Sequence, residues 1–147
     1  MKPVIEFKNI HKSFGSLKVL ADASFKVKKD ELVCLLGPSG SGKTTIFNLV
    51  AGLIQPDQGQ TCVVSNLRKG YVFQESRLLH WKTVSENITF IQQNYLEGKP
   101  ATTIRNTLLK LTGLGNFKNS YPSQLSGGMN QRLEIIKALS IRPDLLL

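Results

Sequence analysis

Apolar and polar residues alternate along residues 3–10 (PVIEFKNI) and 18–27 (KVLADASFKV), with a turn at Phe14-Gly15 between them, which predicts two short strands joined as a hairpin at the edge of a domain. The run ELVCLL at 31–36 is continuously apolar after Glu31 and predicts a strand covered on both faces of an α/β sheet. It leads into a glycine-rich loop. Beyond that loop Ile46, Phe47, Leu49, Val50 and Leu53 recur at helical spacing, and Pro56 and Gly59 close the segment. Residues 60–64 and 70–73, rich in valine and bounded by turn formers, are further strand candidates.

From Thr83 the period becomes helical. Thr83 and Glu86 have the spacing of a capping box, and Val84, Ile88, Ile91 and Tyr95 then share a face. A second helix follows Pro100, with Ile104, Leu108 and Leu111 in register and Gly113 as its stop. A third runs from about Met129 to Ser140, with Leu133, Ile136 and Leu139 inward and Pro143 ending it. The middle of the chain therefore reads as a helical insertion between strand-rich ends.

Composition narrows the class without changing this outline. A length of 147 residues supports one domain with a real core, and 41% hydrophobic and 20% charged residues are ordinary for a globular protein. The longest apolar run, Leu32 to Leu36, is far short of a spanning helix, and the N-terminus lacks the apolar stretch of a secretory signal. Cys34 and Cys62 lie in apolar surroundings and read as buried, inert thiols. The net charge of +9 is spread over scattered lysines and arginines without interleaved aromatic residues, so it reads as a solvated surface rather than a nucleic-acid face. His11 and His80 have no carboxylate or cysteine cluster beside them in sequence and read as surface residues.

The chemistry lies in the loop after ELVCLL. Gly37-Pro38-Ser39-Gly40-Ser41-Gly42-Lys43-Thr44 fits G-x-x-x-x-G-K-[ST] and stands between a predicted strand and a predicted helix. Glycines let successive N–H groups point at one phosphate chain, and the helix adds the positive end of its dipole. Lys43 would face the β- and γ-phosphates, and the Thr44 hydroxyl would ligate Mg²⁺. Such a loop gives nucleotide binding without saying what the nucleotide drives.

Leu125-Ser126-Gly127-Gly128-Met129-Asn130-Gln131-Arg132 closely resembles the LSGGQ signature of ABC-family ATPases, with Met129 where the family usually has glutamine. Ser126 and the two glycines open the third helix, so backbone donors and a hydroxyl would face an anion. The resemblance covers essentially the whole chain. It implies an α/β fold: a P-loop NTPase (ABC ATPase) core with an N-terminal antiparallel hairpin and a helical subdomain, divided as 1–74, 75–128 and 129–147. It also implies ATP and Mg²⁺ as cofactors, held by residues 37–44 with Thr45, and by Ser126, Gly127 and Gly128 of a second copy in a head-to-tail homodimer. Phe14 matches the family's adenine-stacking aromatic residue. Gln74, in Tyr71-Val72-Phe73-Gln74-Glu75, matches the Q-loop glutamine that touches Mg²⁺ and the attacking water. Membrane permease subunits and, indirectly, a solute-binding protein are the implied partners, with no nucleic acid, at the cytoplasmic face of the cell membrane.

The segment from Phe73 to Ile88 (FQESRLLHWKTVSENI) looks like the nitrate, sulfonate and taurine importer branch, with His80 in place of the usual proline. Residues 142–147 (RPDLLL) look like the approach to Walker B, whose aspartate and glutamate would follow; Asp144 precedes the strand and cannot substitute. The expectation is therefore a domain incomplete at its C-terminus, which binds ATP without turning it over. Two other readings stand beside the transporter subunit: a non-catalytic fragment, and an ABC-type ATPase acting on nucleic acid.

Overall fold

The computed structural model describes residues 3–147, which fall into two compact units divided between Asn66 and Leu67. In the first unit, β1 (Ile5–Phe14) and β2 (Leu17–Val27) form the expected hairpin, and β3 (Gln58–Val63) pairs with the other edge of β1. Both pairings are antiparallel, with Ile5 opposite Val27 and Val63, and Phe7 opposite Phe25 and Thr61. Alternation places Ile5 and Phe7 on a buried face, and a register shift after Phe7 brings Ile10 into the same buried set, joined by Leu20 and Val27 of β2. The Phe7 and Phe25 rings lie 4.6 Å apart. Helix α1 (Lys43–Ala51) contributes Leu49 and Val50 to the buried set and ends at Gly52, whose left-handed backbone closes it before Leu53 and well before Pro56.

The structure corrects the reading of residues 31–36 as a doubly covered strand. They form no ladder, and Leu32 and Leu36 are 98% and 89% exposed. A strand buried on both faces needs parallel neighbours supplied by crossover connections. The three strands of this unit are an antiparallel set whose middle strand, β1, already has both edges paired. The cysteine expectation fails with it: Cys34 in this segment and Cys62 on β3 are both exposed. Periodicity reports what a segment is suited to pair with, and these neighbours are absent among the described residues.

The second unit holds a short parallel pair, β4 (Lys69–Gly70) with β5 (Leu145–Leu146), and three helices, α2 (Val84–Gln92), α3 (Gly98–Leu111) and α4 (Gly127–Leu139). The ladder at residues 70–73 is shorter than the valine content suggests, although the Val72 N–H still reaches the Leu147 carbonyl at 2.9 Å. Leu78, Val84, Ile88, Leu109, Leu114, Leu125, Leu133 and Ile136 make one apolar core, with Leu108 and Met129 packed on it.

Helix registers differ from expectation in particular places. Tyr95 lies beyond the end of α2 and is exposed. Helix α3 begins before Pro100 at Gly98, so the proline occupies the first turn, where its missing N–H is harmless. Its inward residue near the C-terminus is Leu109, while Leu111 is exposed. Helix α4 starts at Gly127 with Ser126 as its cap, and buries Glu134 and Lys137 beside Leu133 and Ile136. Among the described residues no helix is long and apolar enough to cross a membrane.

Candidate functional site

The glycine-rich loop curls because its glycines take conformations that other residues avoid. Gly37 has φ 156°, and a Cβ there would come within 2.8 Å of Ser41 Oγ; Gly42, at φ 87°, caps α1 from the left-handed region with Val19 and Leu20 against it. The Ser41 N–H bonds back to the Pro38 carbonyl at 3.3 Å, closing the turn. The Lys43 ammonium then sits inside its own loop, donating to the Gly37 and Pro38 carbonyls at 2.8 and 2.6 Å and to Ser41 Oγ at 3.3 Å.

Helix α1 opens directly from this loop. The Ile46 N–H takes the Gly42 carbonyl at 2.9 Å, and the first turn has no acidic residue, so the positive end of the helix dipole is not neutralised locally. The leading amides of Lys43, Thr44 and Thr45 have no intrahelical acceptor by geometry. With an ammonium, a curled backbone and an exposed Thr44 hydroxyl, this donor set fits a phosphate chain. It also fits a magnesium ion that shares its coordination between a protein oxygen and phosphate oxygens.

Phe14 ends β1 and is 51% exposed, its ring available at the surface. Lys12 Nζ lies 5.5 Å from the ring centroid. Asp57, just before β3, holds this strand end by accepting from Lys12 Nζ and from the Ser13 N–H, each at 2.7 Å. The Lys12 hydrogen bond, followed by that of Ser13, keeps the Asp57 carboxyl below the usual carboxylate range.

The second unit contains Gln74 and the signature residues. Ser126 caps α4, its oxygen accepting the Met129 N–H at 3.3 Å, while Gly127 and Gly128 are exposed in the first turn. Its hydroxyl hydrogen is still available to an acceptor. Met129, where the signature usually has glutamine, packs against the apolar core. Gln74 is exposed and follows Phe73, whose ring stacks on Tyr71 with centroids 4.3 Å apart.

Several residues with structural work in this unit had no role assigned from the sequence, although Asn87 stands within the Phe73–Ile88 pattern. Asn87 is buried, accepts the Leu79 N–H at 2.8 Å, and donates to the Leu79, Lys82 and Thr83 carbonyls. It thereby shapes the turn that contains exposed His80, without the proline usual there. Glu134 and Lys137 form a buried ion pair at 2.7 Å. The only signal for them was their place on the face of α4 that also carries Leu133 and Ile136.

Comparison with known proteins agrees with this geometry. The ABC transporter family pattern matches residues 20–147. A probable sulfate/thiosulfate import ATP-binding protein CysA of Chlorella vulgaris is 40% identical over 153 residues, covering 97% of this chain and 65% of its own length. The CysA protein of Synechocystis sp. is also 40% identical, over 95% of this chain and 42% of its own length. The chain thus spans well under two thirds of some of the relatives it matches. A solved ATP-binding subunit of an ABC transporter superposes with a TM-score of 0.88 at 25% identity, over 97% of this chain and 64% of that one. The dimeric post-hydrolysis state of the ATP-binding cassette MJ0796, bound to ADP and Pi, superposes with a TM-score of 0.82 at 29% identity, over 97% of this chain and 72% of that one. The expected P-loop ABC ATPase fold is thereby shown, while these relatives bear the sulfate/thiosulfate name rather than nitrate, sulfonate or taurine. With the curled loop ahead of α1, the capped signature helix and a family match over most of its length, the chain belongs to the ABC transporter family as an ATP-binding domain.

Proposed function

We propose that this chain forms the nucleotide-binding part of an importer ATPase, in which residues 37–44 with Thr45 hold the phosphates of Mg-ATP. The observation that carries this reading is the Lys43 ammonium seated inside a left-handed glycine loop that opens onto an acid-free helix start. Lys43 would exchange its loop carbonyls for phosphate oxygens, Thr44 would offer its hydroxyl to the metal, and Phe14 would stack on the base. Magnesium, when bound, supplies charge neutralisation across the phosphates. Gln74 would orient the metal and the attacking water.

The remaining parts of the proposal concern assembly. Ser126, Gly127 and Gly128 would close over the nucleotide of a second copy, in keeping with the dimeric form of the similar cassette bound to ADP and Pi. Import would require permease subunits in the membrane, placing the chain at the cytoplasmic face, with a solute-binding protein acting through them. The solute class is a small oxyanion. The relatives' names favour sulfate or thiosulfate, and the Phe73–Ile88 pattern favours nitrate, a sulfonate or taurine.

Thermal unfolding with and without Mg-ATP tests the binding step. At ligand about 100-fold above Kd, linkage stabilises the fold by roughly 2.7 kcal/mol, a shift of several degrees. Lys43→Ala is expected to remove most of that shift. A Lys43→Ala protein that responds as fully as the parent excludes the proposed role.

A further inference from the structure

Helix α4 carries two charged residues where apolar ones would be expected. Glu134 is 4% and Lys137 9% exposed, both inside the unit that contains Gln74. A buried ion pair contributes little net stability, because desolvating both charges offsets most of their attraction. Its hydrogen bonds therefore show what it does, and they converge on one residue. Glu134 Oε1 accepts the Arg77 N–H and, at 3.1 Å, the Ser76 hydroxyl; Lys137 Nζ donates to the Arg77 carbonyl at 2.9 Å. The carboxylate and the ammonium, 2.7 Å apart, thus hold both backbone polar groups of Arg77 as a neighbouring strand would.

The held residue is close to the proposed sensor. Arg77 lies three positions after Gln74, and its guanidinium carbon stands 5.6 Å from the Phe73 ring centroid, on the other side of Gln74 in sequence. Phe73 in turn stacks on Tyr71. Helix α4 has Ser126 at its N-terminus and this clamp two turns further along, so one rigid element joins the signature to the loop of Gln74.

We propose that Glu134 and Lys137 are positioning residues that lock the Gln74 loop to the signature helix, so that a displacement of either is passed to the other. The proposal rests on the reading of Gln74 and Ser126 given above. Neither charge touches nucleotide; both act through the backbone of Arg77.

Amide hydrogen exchange on the 147-residue chain tests the clamp without nucleotide. In Glu134→Gln and Lys137→Met, the amides of Ser76, Arg77 and Leu78 are expected to exchange about tenfold faster or more, while those of α2 and α3 keep parental rates. Lys137→Arg, which preserves the charge and the donor, is expected to restore the loop. Parental rates at 76–78 in both variants overturn the proposal. So does acceleration spread evenly over the unit, or its global unfolding, since either shows support of the fold alone. A Lys43→Ala chain with a full ATP response sinks the proposed function instead, and the exchange result separates the two.

Discussion

Thr83 donates its backbone N–H and its hydroxyl to one Glu86 oxygen, at 2.7 and 2.9 Å, and accepts the Glu86 N–H at 3.3 Å. This is the reciprocal box that the T-x-x-E spacing predicts, and such local chemistry is legible because both partners lie within one turn. The backbone bond from Thr83, and then its hydroxyl, hold the Glu86 carboxyl below the usual range. A depressed pKa means that the cap's contribution is fully present above the unfolded value and is lost as pH falls through the folded one, on the acid side of the ordinary glutamate range. The Thr83 amide proton shift is therefore expected to titrate in that acid window, and Glu86→Gln to abolish the titration while keeping the helix start. A Thr83 amide that titrates unchanged in Glu86→Gln would assign the effect to another group. By contrast, no spacing rule marks Asp57, which reaches Lys12 and Ser13 from more than forty positions away.

Among the elements, α4 shows how far a periodic pattern carries. Leu133 and Ile136 face inward as their spacing predicts, being 0% and 1% exposed, whereas Ile135 between them is 38% exposed. Leu133→Ala is expected to destabilise the second unit by about 2–5 kcal/mol, and Ile135→Ala by no more than about 0.5 kcal/mol. Both are measured from denaturant midpoints followed in that unit. Equal effects would mean that the helix does not pack by this face. The same pattern left Glu134 and Lys137 unmarked, because a buried charge is tolerated only through partners elsewhere in the chain, Ser76 and Arg77 in this case. Pattern reading likewise put Leu111 on the inward face of α3, since hydrophobicity alone does not say which of Leu108, Leu109 and Leu111 the core receives.

For the molecule as a whole, the conspicuous feature is residues 31–36, an apolar segment with Leu32, Val33 and Leu36 exposed and no ladder partner among the described residues. Unpaired backbone beside exposed leucines is a template for association with another chain. The 147-residue chain is expected to self-associate at micromolar concentration, and Leu32→Lys with Leu36→Lys to shift its sedimentation toward monomer while leaving the ATP-induced thermal shift in place. A parent that sediments as a monomer throughout, or a double variant that associates equally, would show that this segment is not the adhesive surface.

Chemistry written in neighbouring residues was determined by the sequence alone. The glycine loop leading to Lys43, the serine cap of the signature helix and the Thr83–Glu86 box each need only a few adjacent positions and fixed backbone geometry. The hairpin of β1 and β2 belongs with them, because a short turn brings adjacent strands together. Tertiary structure decided what depends on distant partners. It paired β1 with β3 and β4 with β5, and left residues 31–36, Cys34 and Cys62 in solvent. It also buried Glu134 and Lys137 against the backbone of Arg77. Burial and pairing are properties of two segments at once, so a segment's own hydrophobicity states what it could join but not what it meets.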